Sequence, residues 1–388
     1  FLPYSFRYTA LVCKSGRVRI DEYGVSTIGN ADAFQLKFLC ENKKLERIVQ
    51  ASQNGFAHNA IDIFTDCPSR ESAGYLCDSF FSGRAEHLLS GNNFVEKNFL
   101  ENYIIAESFP GYKNGMVPMC YPSNIKKHSF IPNWALWFIV ELKDYRLRTG
   151  DSALVEKAKE RVYGILRWFD DYVNPEGFLE KLNGWIFVEW SDANDYLQDV
   201  NIPTNILYAA ALEIAGELYI DERLIAQSCA LREKIVAYSF DGLFFEDNLV
   251  RNENGDLKRA GNISETCQYY ALFFLLSDGS HFAEYRKRLI EDFGCVRDVE
   301  NVYPSICKSN MFIGDYLRLS YLCEIGEYER VLEESETLFT HMAEKTLTIW
   351  EYETVLNSLD HGFAACASCF ILESIEKTKK YEYQIIRS

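Results

Sequence analysis

Residues 65–81 read TDCPSRESAGYLCDSFF and place three acids and an arginine around a proline and a glycine. Pro68 has no backbone N–H and restrains the residue before it to an extended conformation. Gly74 accepts backbone angles that a side chain would oppose. The segment lies between an amphipathic stretch that ends near Ile63 and an apolar one that begins at Leu76, so it predicts a loop between two helices.

The charged side chains of this loop are of the types that carry out acid and base catalysis. Asp66, Glu71 and Asp78 crowded into one pocket would repel one another, which raises the pKa of at least one carboxyl group. Arg70 would keep another of them ionised, and such a split is what an acid and a base need near neutral pH. A surface helix start, with an aspartate as N-cap and an Arg70–Glu71 ion pair, explains the same residues. The chemistry alone leaves both interpretations open.

Helical periodicity begins at about Asn42, before this loop, and continues almost to the end of the chain. Twelve helices are predicted, over residues 43–56, 76–90, 92–106, 130–148, 151–173, 201–219, 221–239, 262–276, 280–293, 309–325, 327–342 and 361–376. Tight turns at 149–151, 278–280 and 325–327 join several of them in pairs. Six helical hairpins indicate an all-α fold, an (α/α)6 barrel over residues 42–378. A TPR-type superhelix is the alternative, but no fixed-period repeat supports it.

The connections between hairpins are longer than the turns within them. Four long gaps stand out, at 57–75, 107–130, 174–200 and 343–360. Long loops gathered at one end of a barrel predict that the pocket opens there.

Both ends of the chain depart from the helical pattern. Short β-branched and aromatic runs predict strands at 6–12, 16–20 and 34–38, within a small β segment over residues 1–41. Three strands with an open edge rarely stand alone, so this segment is interpreted as a remnant of a β-sandwich. Residues 379–388 form a tail that returns to alternation.

The loop at 65–81 resembles a known signature. DCPSRE followed by AGYLCD is similar to the DCP-x-R-(D)-E-R-x-G-W-x-G-D pattern of glycoside hydrolase family 78, the α-L-rhamnosidases and their relatives. Further similarities follow in the same order along the chain, at Trp134, Glu189-Trp190, Ser264-Glu265-Thr266, Gly314, Trp350-Glu351 and His361. The resemblance implies the same barrel, and Phe6-Arg7-Tyr8 resembles the end of the β-sandwich that precedes it in the family.

The resemblance also implies a separate catalytic role for each of two glutamates. Glu71 matches the general acid and Glu351 the water-activating base of an inverting glycosidase, which needs one carboxyl group on each side of the scissile bond. Contacts with the sugar are implied for Asp66, Arg70, Tyr75, Asp78, Trp134, Glu189, Trp190, Trp350 and His361. Ordinary packing competes with this interpretation at Trp134, a helix start, and at 183–192, where an amphipathic strand would turn Trp185 and Phe187 inward.

Departures from the family pattern surround the two glutamates. A single glutamate replaces the usual pair of acids, and Ser72, Tyr75, Cys77 and Asp360 replace an arginine, a tryptophan, a glycine and an asparagine. These changes alter the pocket wall, so glycosidase activity is better supported than rhamnose specificity. The alternatives are a catalytically silent, glycan-binding (α/α)6 domain of a larger assembly and a six-hairpin glycosidase for another sugar. An unsaturated glucuronyl hydrolase is disfavoured because an anionic substrate calls for more basic loops.

Composition agrees with a carbohydrate ligand. The chain of 388 residues is 15% aromatic and carries a formal charge of −17. Such a charge argues against nucleic acid, which binds basic surfaces. Aromatic rings suit the C–H faces of sugars. No apolar run is long enough for a membrane span, and a homo-oligomer is compatible with the sequence.

Cysteine usage favours a reducing compartment. Twelve cysteines are scattered through apolar helical pattern, and the one close pair is Cys366 and Cys369. Neither zinc-type spacing nor a cofactor motif accompanies them, so no metal and no cofactor are predicted. A cytoplasmic location is expected, with a periplasmic or secreted one if a signal was removed, since the chain begins at Phe1 and not at methionine.

Overall fold

The computed structural model describes residues 6, 8–112, 115–123, 129–276 and 282–387. The helices are α1 Lys43–Asn59, α2 Asp78–Ser90, α3 Phe94–Ile105, α4 Pro132–Thr149, α5 Ser152–Lys157, α6 Lys159–Asp170, α7 Ile202–Tyr219, α8 Glu222–Ser239, α9 Glu265–Tyr270, α10 Ala283–Glu291, α11 Cys295–Glu300, α12 Tyr316–Glu324, α13 Tyr328–Thr346 and α14 Ala367–Thr378. The strands are β1 Leu36–Cys40, β2 Val200–Asn201, β3 Asn248–Arg251, β4 Leu257–Arg259 and β5 Tyr383–Arg387. All twelve predicted helices are present, although the one predicted over 151–173 is divided into α5 and α6, and α11 was not predicted.

Six of these helices form a closed inner ring. In the order α2, α4, α7, α9, α12 and α14, each packs against the next, and α14 packs against α2. Because the last inner helix returns to the first, the fold is a six-hairpin barrel and the superhelical alternative is wrong. The all-α prediction is therefore confirmed.

Burial distinguishes the inner helices from the outer ones. Along α4 every residue from Pro132 to Leu142 is buried, as expected of a helix with neighbours on all sides. On the outer helix α8 the buried residues form one stripe, Leu224, Ser228, Leu231, Ile235 and Ser239. The pattern of apolar residues along each helix thus determines whether it lies in the inner or the outer layer of the barrel.

The inner helices α2, α4, α7 and α12 each lead into the next outer helix through a short turn. After α4, Gly150 adopts a left-handed conformation at φ +73° and donates its N–H to the carbonyl of Arg146 at 2.8 Å. The side chain of Asp151 then caps α5 by accepting from the N–H of Leu154 at 3.1 Å. The predicted turns at 149–151 and 325–327 are confirmed, and the one at 278–280 lies outside the described residues. All long connections consequently lie at the opposite end of the barrel.

The two ends of the chain meet in a small sheet. β1 pairs antiparallel with β5, with Leu36 opposite Arg387. The strand predicted at 34–38 is thus present two residues later, after a 3₁₀ turn at Ala31–Phe34, and the alternation of the tail is confirmed. The strands predicted at 6–12 and 16–20 are wrong, because residues 6 and 8–30 form no strand where the structure describes them. A short strand gains little without a partner sheet to cover its apolar face. β2, β3 and β4 form a second antiparallel sheet.

Across the described ranges, no helix is both long and apolar enough to cross a lipid bilayer.

Candidate active site

A cavity of about 110 Å³ lies among the long loops. Its lining consists of Asp66, Arg70, Glu71, Tyr75, Asp78, Ile131, Trp134, Trp185, Phe187, Trp190, Phe312, Glu351 and His361. Every residue implied as part of the site lines this cavity, except Glu189 and Trp350. About 10–15 Å³ of such volume is enough for one water molecule, so the cavity has room for a ligand the size of one sugar ring.

One arginine joins the two glutamates that the resemblance singled out. The guanidinium of Arg70 contacts Glu71 Oε1 through Nη1 at 3.0 Å and Glu351 Oε2 through Nη2 at 3.4 Å. The phenol of Tyr75 donates to the other oxygen of Glu71 at 2.5 Å. The side chain of Glu71 is 17% exposed and that of Glu351 only 5%. Glu71 therefore lies nearer the mouth and Glu351 deeper in the cavity.

Hydrogen bonds within the 65–81 segment hold its bend. Two hydrogen bonds connect Asp66 and Ala73 across the loop. The Asp66 N–H donates to the Ala73 carbonyl at 2.9 Å, and the Ala73 N–H donates to Asp66 Oδ1 at 2.8 Å. Gly74 is packed so tightly that an added Cβ would lie 2.9 Å from the ring of Phe99. The bend thus presents Asp66 and Glu71 to the same cavity.

Gly362 brings the two ends of the chain together at this point. Its N–H donates to the carbonyl of Asp66 at 2.7 Å. A Cβ at this position would overlap the Thr65 carbonyl oxygen. Close backbone approach places His361 directly beside the acidic loop.

Two aspartates in the cavity are deeply buried. Burial raises the pKa of Asp66, and one of its oxygens, Oδ2, has no hydrogen-bond partner within the protein. Burial raises the pKa of Asp78 well above its usual range, and the charges of Asp66 and Glu351 add to this effect. The cavity therefore holds carboxyl groups with different protonation tendencies.

His361 lies between two acids but stays neutral. Its Nδ1 is 3.6 Å from Asp78 Oδ1 and its Nε2 is 3.9 Å from Glu351 Oε2. Burial, with a further contribution from Arg70, lowers the pKa of His361 to about 3. At neutral pH the imidazole is thus a polar contact without charge.

Glu351 is fixed by its own loop. The Ser358 N–H donates to Glu351 Oε2 at 3.2 Å, and the Glu351 N–H donates to the Ser358 carbonyl at 2.9 Å. The side chain of Trp190 also lowers the pKa of this carboxyl group. Burial raises the pKa of Glu351, while these hydrogen bonds and Arg70 oppose the rise. A carboxylate held in this way suits the role of a base.

Aromatic rings form the apolar side of the cavity. Phe187 packs edge-on against Trp134 at 5.0 Å and against Trp190 at 4.7 Å, and Phe312 lies 5.9 Å from Trp134. Trp185, Phe187, Phe312 and Ile131 line the cavity but were not predicted as site residues. The inward alternation of Trp185 and Phe187 was the available signal, whereas nothing in the local sequence marks Phe312.

Glu189 does not line the cavity, which corrects the sequence-based expectation. It is fully buried and accepts hydrogen bonds from Ser191 Oγ at 2.5 Å, from Thr266 Oγ1 at 2.5 Å and from the Gly314 N–H at 2.6 Å. Burial raises its pKa to about 8. Its carboxyl group connects loops that carry the cavity wall and lies outside the cavity lining.

Trp350 is the second correction. Its indole N–H donates to Thr346 Oγ1 at 2.7 Å, and its ring packs against His341 at the end of α13. In Trp350-Glu351 the acid lines the cavity, and in Glu189-Trp190 the ring does.

Comparisons with known proteins agree with this architecture. The model of the bacterial α-L-rhamnosidase six-hairpin glycosidase domain matches residues 35–295. A family 78 rhamnosidase of Bacillus sp. GL1 superposes with a TM-score of 0.72 at 19% identity, covering 90% of this chain and 36% of that one. The rhamnosidase from Klebsiella oxytoca gives a TM-score of 0.66 at 15% identity, over 86% of this chain and 65% of that one. The α-L-rhamnosidase of Streptomyces avermitilis gives 0.62 at 15% identity, over 88% and 32%.

The closed ring of helical hairpins and its acidic cavity define a six-hairpin glycosidase domain. The match to more than half of the chain makes the assignment specific: this protein belongs to the family of bacterial α-L-rhamnosidase six-hairpin glycosidase domains. The chain spans between about a third and two-thirds of the length of the three similar structures. No curated protein matches it.

Proposed function

We propose that this domain hydrolyses the glycosidic bond of a terminal sugar, α-L-rhamnose, by an inverting mechanism. The observation that carries the proposal is that Glu71 and Glu351, from opposite ends of the chain, contact one guanidinium and line one cavity the size of a sugar ring. Glycoside hydrolysis needs two carboxyl groups beside the scissile bond.

The positions of the two glutamates suggest their roles. Glu71 lies nearer the mouth, where a leaving group departs, so it is the proposed general acid. Glu351 is deeper and is held by Ser358 and Arg70, so it is the proposed base that activates water on the opposite face of the sugar. General acid and base groups each contribute about 10²–10⁴-fold to a reaction of this kind.

Three buried polar atoms support a polyhydroxylated ligand. Asp66 Oδ2, Trp134 Nε1 and His361 Nδ1 belong to cavity-lining residues and have no hydrogen-bond partner within the protein. Leaving such atoms unsatisfied costs about 1–3 kcal/mol each. The hydroxyl groups of a sugar would satisfy them, which favours a carbohydrate over an apolar ligand.

The lining also supports a neutral deoxy sugar. Arg70 is the one basic residue among the lining residues, and it already contacts two acids, so an anionic sugar would be repelled. Trp134, Phe187 and Phe312 provide an apolar wall suited to the methyl group of a 6-deoxyhexose. The Klebsiella oxytoca enzyme has rhamnose bound, and the Streptomyces avermitilis enzyme is complexed with L-rhamnose.

One observation favours glycan binding without hydrolysis. Arg70 and Tyr75 occupy both oxygens of Glu71, so protonation of a leaving group requires at least one of these contacts to open. Catalysis and silent binding make different predictions for variants of the two glutamates.

The test measures the hydrolysis of aryl α-L-rhamnosides whose leaving groups span a range of pKa. Glu71→Gln should slow poor leaving groups far more than activated ones, because an aglycone that departs as a stable anion needs little protonation. Glu351→Ala should slow all substrates alike, and azide should restore turnover by attack from the vacated side, giving an inverted product. Glu344→Gln, on the exposed face of α13, serves as the control.

Two results would count against the assignment. A rate for Glu71→Gln that does not depend on the leaving group would remove the acid role from Glu71. A first-formed sugar of retained configuration, followed by NMR, would make Glu351 a nucleophile and not a base. Binding of rhamnose by the parent protein without turnover of any aryl rhamnoside would establish the silent alternative.

A further inference from the structure

A charged contact behind the candidate active site joins residues that are far apart in the sequence. Asp360 directly precedes His361 but does not line the cavity. Its Oδ2 contacts Nδ1 of His58 at 2.7 Å, and its Oδ1 accepts from Nδ2 of Asn59 at 3.1 Å. Both partners lie at the C-terminal end of the outer helix α1. The carboxyl group of Asp360 thus anchors the segment that carries His361 to the end of this helix.

Hydrogen bonds connect this anchor to Glu351. Ser358 donates from Oγ to the carbonyl of Asp360 at 3.2 Å. The N–H of Ser358 donates to Glu351 Oε2 at 3.2 Å, and its carbonyl accepts from the Glu351 N–H at 2.9 Å. Because one residue links the anchored aspartate to the proposed base, a displacement of Asp360 would also displace the carboxylate of Glu351.

The end of α1 also holds the acidic loop on the other side of the cavity. Asn59 accepts through Oδ1 from Thr65 Oγ1 at 3.3 Å, and its backbone carbonyl accepts from the Thr65 N–H at 2.8 Å. The same asparagine donates to Asp360. The two segments that carry the proposed acid and base are therefore fixed to one helix end.

The contact between His58 and Asp360 carries charge, which the asparagine of the family pattern would not provide. The hydrogen bond to Asp360 raises the pKa of His58 above its ordinary value of 6.5, and partial burial opposes the rise. Burial raises the pKa of Asp360, and its contact with His58 opposes that rise. Among the described residues, the charged group that contributes to the pKa of each partner is the other partner. The next titratable groups on the segments packed here lie toward the cavity and are His361, Glu351 and Asp66.

The strength of this contact depends on pH. With Asp360 ionised and the folded-state pKa of His58 raised, the contribution of the charged contact is fully present below pH 6.5. It is lost as the pH rises through the raised pKa of His58. A neutral imidazole then leaves a weaker hydrogen bond, since bonds between ionised partners are the stronger ones. The anchor consequently weakens on the alkaline side.

We infer that His58 and Asp360 are a positioning pair for the candidate active site, and that their contact keeps Glu351 and His361 in place in the cavity. Neither member of the pair lines the cavity, so the pair acts through the residues that do. Small displacements of a catalytic group are costly, because the reacting atoms must be closely aligned. The inference rests on the proposed function for the role of Glu351 as a base, but its effect on sugar binding can be measured without hydrolysis.

The first test measures kcat against pH for 2,4-dinitrophenyl α-L-rhamnoside. This aglycone departs as a stable anion, so protonation by Glu71 contributes little to the profile. In the parent protein kcat should fall by about threefold to fivefold as the pH rises through the pKa of His58, the scale of a contact between partly exposed charges. His58→Gln and Asp360→Asn should each show the lower kcat throughout, without this alkaline limb.

A second histidine provides the matched control. His87 is also exposed and lies in the last turn of its helix, α2, where its Nδ1 is 2.8 Å from Asn93 Oδ1. His87→Gln should keep the parent profile. The double variant of His58→Gln with Asp360→Asn should lose about as much as either single variant, because the two residues act through one contact. Losses that multiply in the double variant would overturn the pair.

The second test keeps the inference separable from the proposed function. Binding of L-rhamnose is followed by quenching of tryptophan fluorescence, and the pKa of His58 by NMR of the imidazole C–H protons. At about pH 6, His58→Gln should bind rhamnose about threefold more weakly than the parent, since His361 moves with the segment. The difference should disappear above the pKa of His58, and Asp360→Asn should lower that pKa toward 6.5.

The outcomes distinguish the two proposals. If no rhamnoside is hydrolysed but rhamnose affinity depends on His58 in this way, the proposed function fails and the positioning pair stands. If hydrolysis occurs but His58→Gln keeps the parent pH profile or the parent affinity for rhamnose, the proposed function stands and the positioning pair is overturned.

Discussion

Substitution of Glu189 by glutamine should stabilise the protein at neutral pH without weakening substrate binding. The carboxyl group is fully buried and accepts from Ser191, Thr266 and the Gly314 N–H. A glutamine can keep its oxygen toward Gly314 and direct its NH₂ group to the two hydroxyls, which rotate to accept. The hydrogen bonds are thus retained, while the free-energy cost of protonating the glutamate on folding at neutral pH is removed.

The magnitude follows from proton linkage. Burial raises the folded-state pKa of Glu189 to about 8, from an ordinary value of 4.5. Because the folded pKa is raised, the contribution of the parent side chain is fully present below pH 4.5 and declines as the pH rises toward 8. At pH 7 the loss is on the order of 3 kcal/mol, at about 1.4 kcal/mol per pH unit. Glu189→Gln should therefore match the parent near pH 4.5 and exceed it at pH 7.

Urea denaturation at the two pH values, followed by circular dichroism, measures this difference. Glu344→Gln, at an exposed position on α13, should shift the midpoint at neither pH. A variant less stable than the parent at pH 7 would refute the argument, since it would mean that the glutamate carboxyl group stabilises the loops more than an amide does. A raised KM for an aryl rhamnoside would instead show that Glu189 contacts the substrate.

Three further outcomes are expected. Gly362→Ala should lower the free energy of unfolding by about 1–3 kcal/mol, because the added methyl group would push the His361 loop away from Thr65. The same displacement should reduce kcat/KM, and an unchanged kcat/KM would contradict this prediction. Trp350→Phe should lower the thermal unfolding temperature, because it removes the hydrogen bond to Thr346. KM for an aryl rhamnoside should stay within twofold of the parent value, and a larger increase in KM would place the ring in the cavity. His361→Gln should leave both limbs of the pH–rate profile between about pH 5 and 8 unchanged, because the pKa of His361 is about 3. Loss of a limb in the variant would show that the imidazole titrates during catalysis.

Local signals in the sequence were sufficient for the barrel. Apolar periodicity, together with turn residues such as Gly150 and Asp151, predicted the helices and their pairing into hairpins. Pro68 and Gly74 predicted the loop that carries Asp66 and Glu71. These features depend on residues close in the chain, and so they can be recognised before the tertiary structure is known.

Side-chain direction and long-range pairing required the tertiary structure. Motif matching selected both members of Glu189-Trp190 and of Trp350-Glu351, but hydrogen bonds to residues outside the cavity lining hold Glu189 and Trp350 away from the cavity. Phe312 reaches the cavity only because the barrel brings its loop beside Trp134. The sequence alone determined which loops carry the chemistry, and only the closure of the ring decided which side chains meet, since contacts between distant residues depend on packing across the whole barrel.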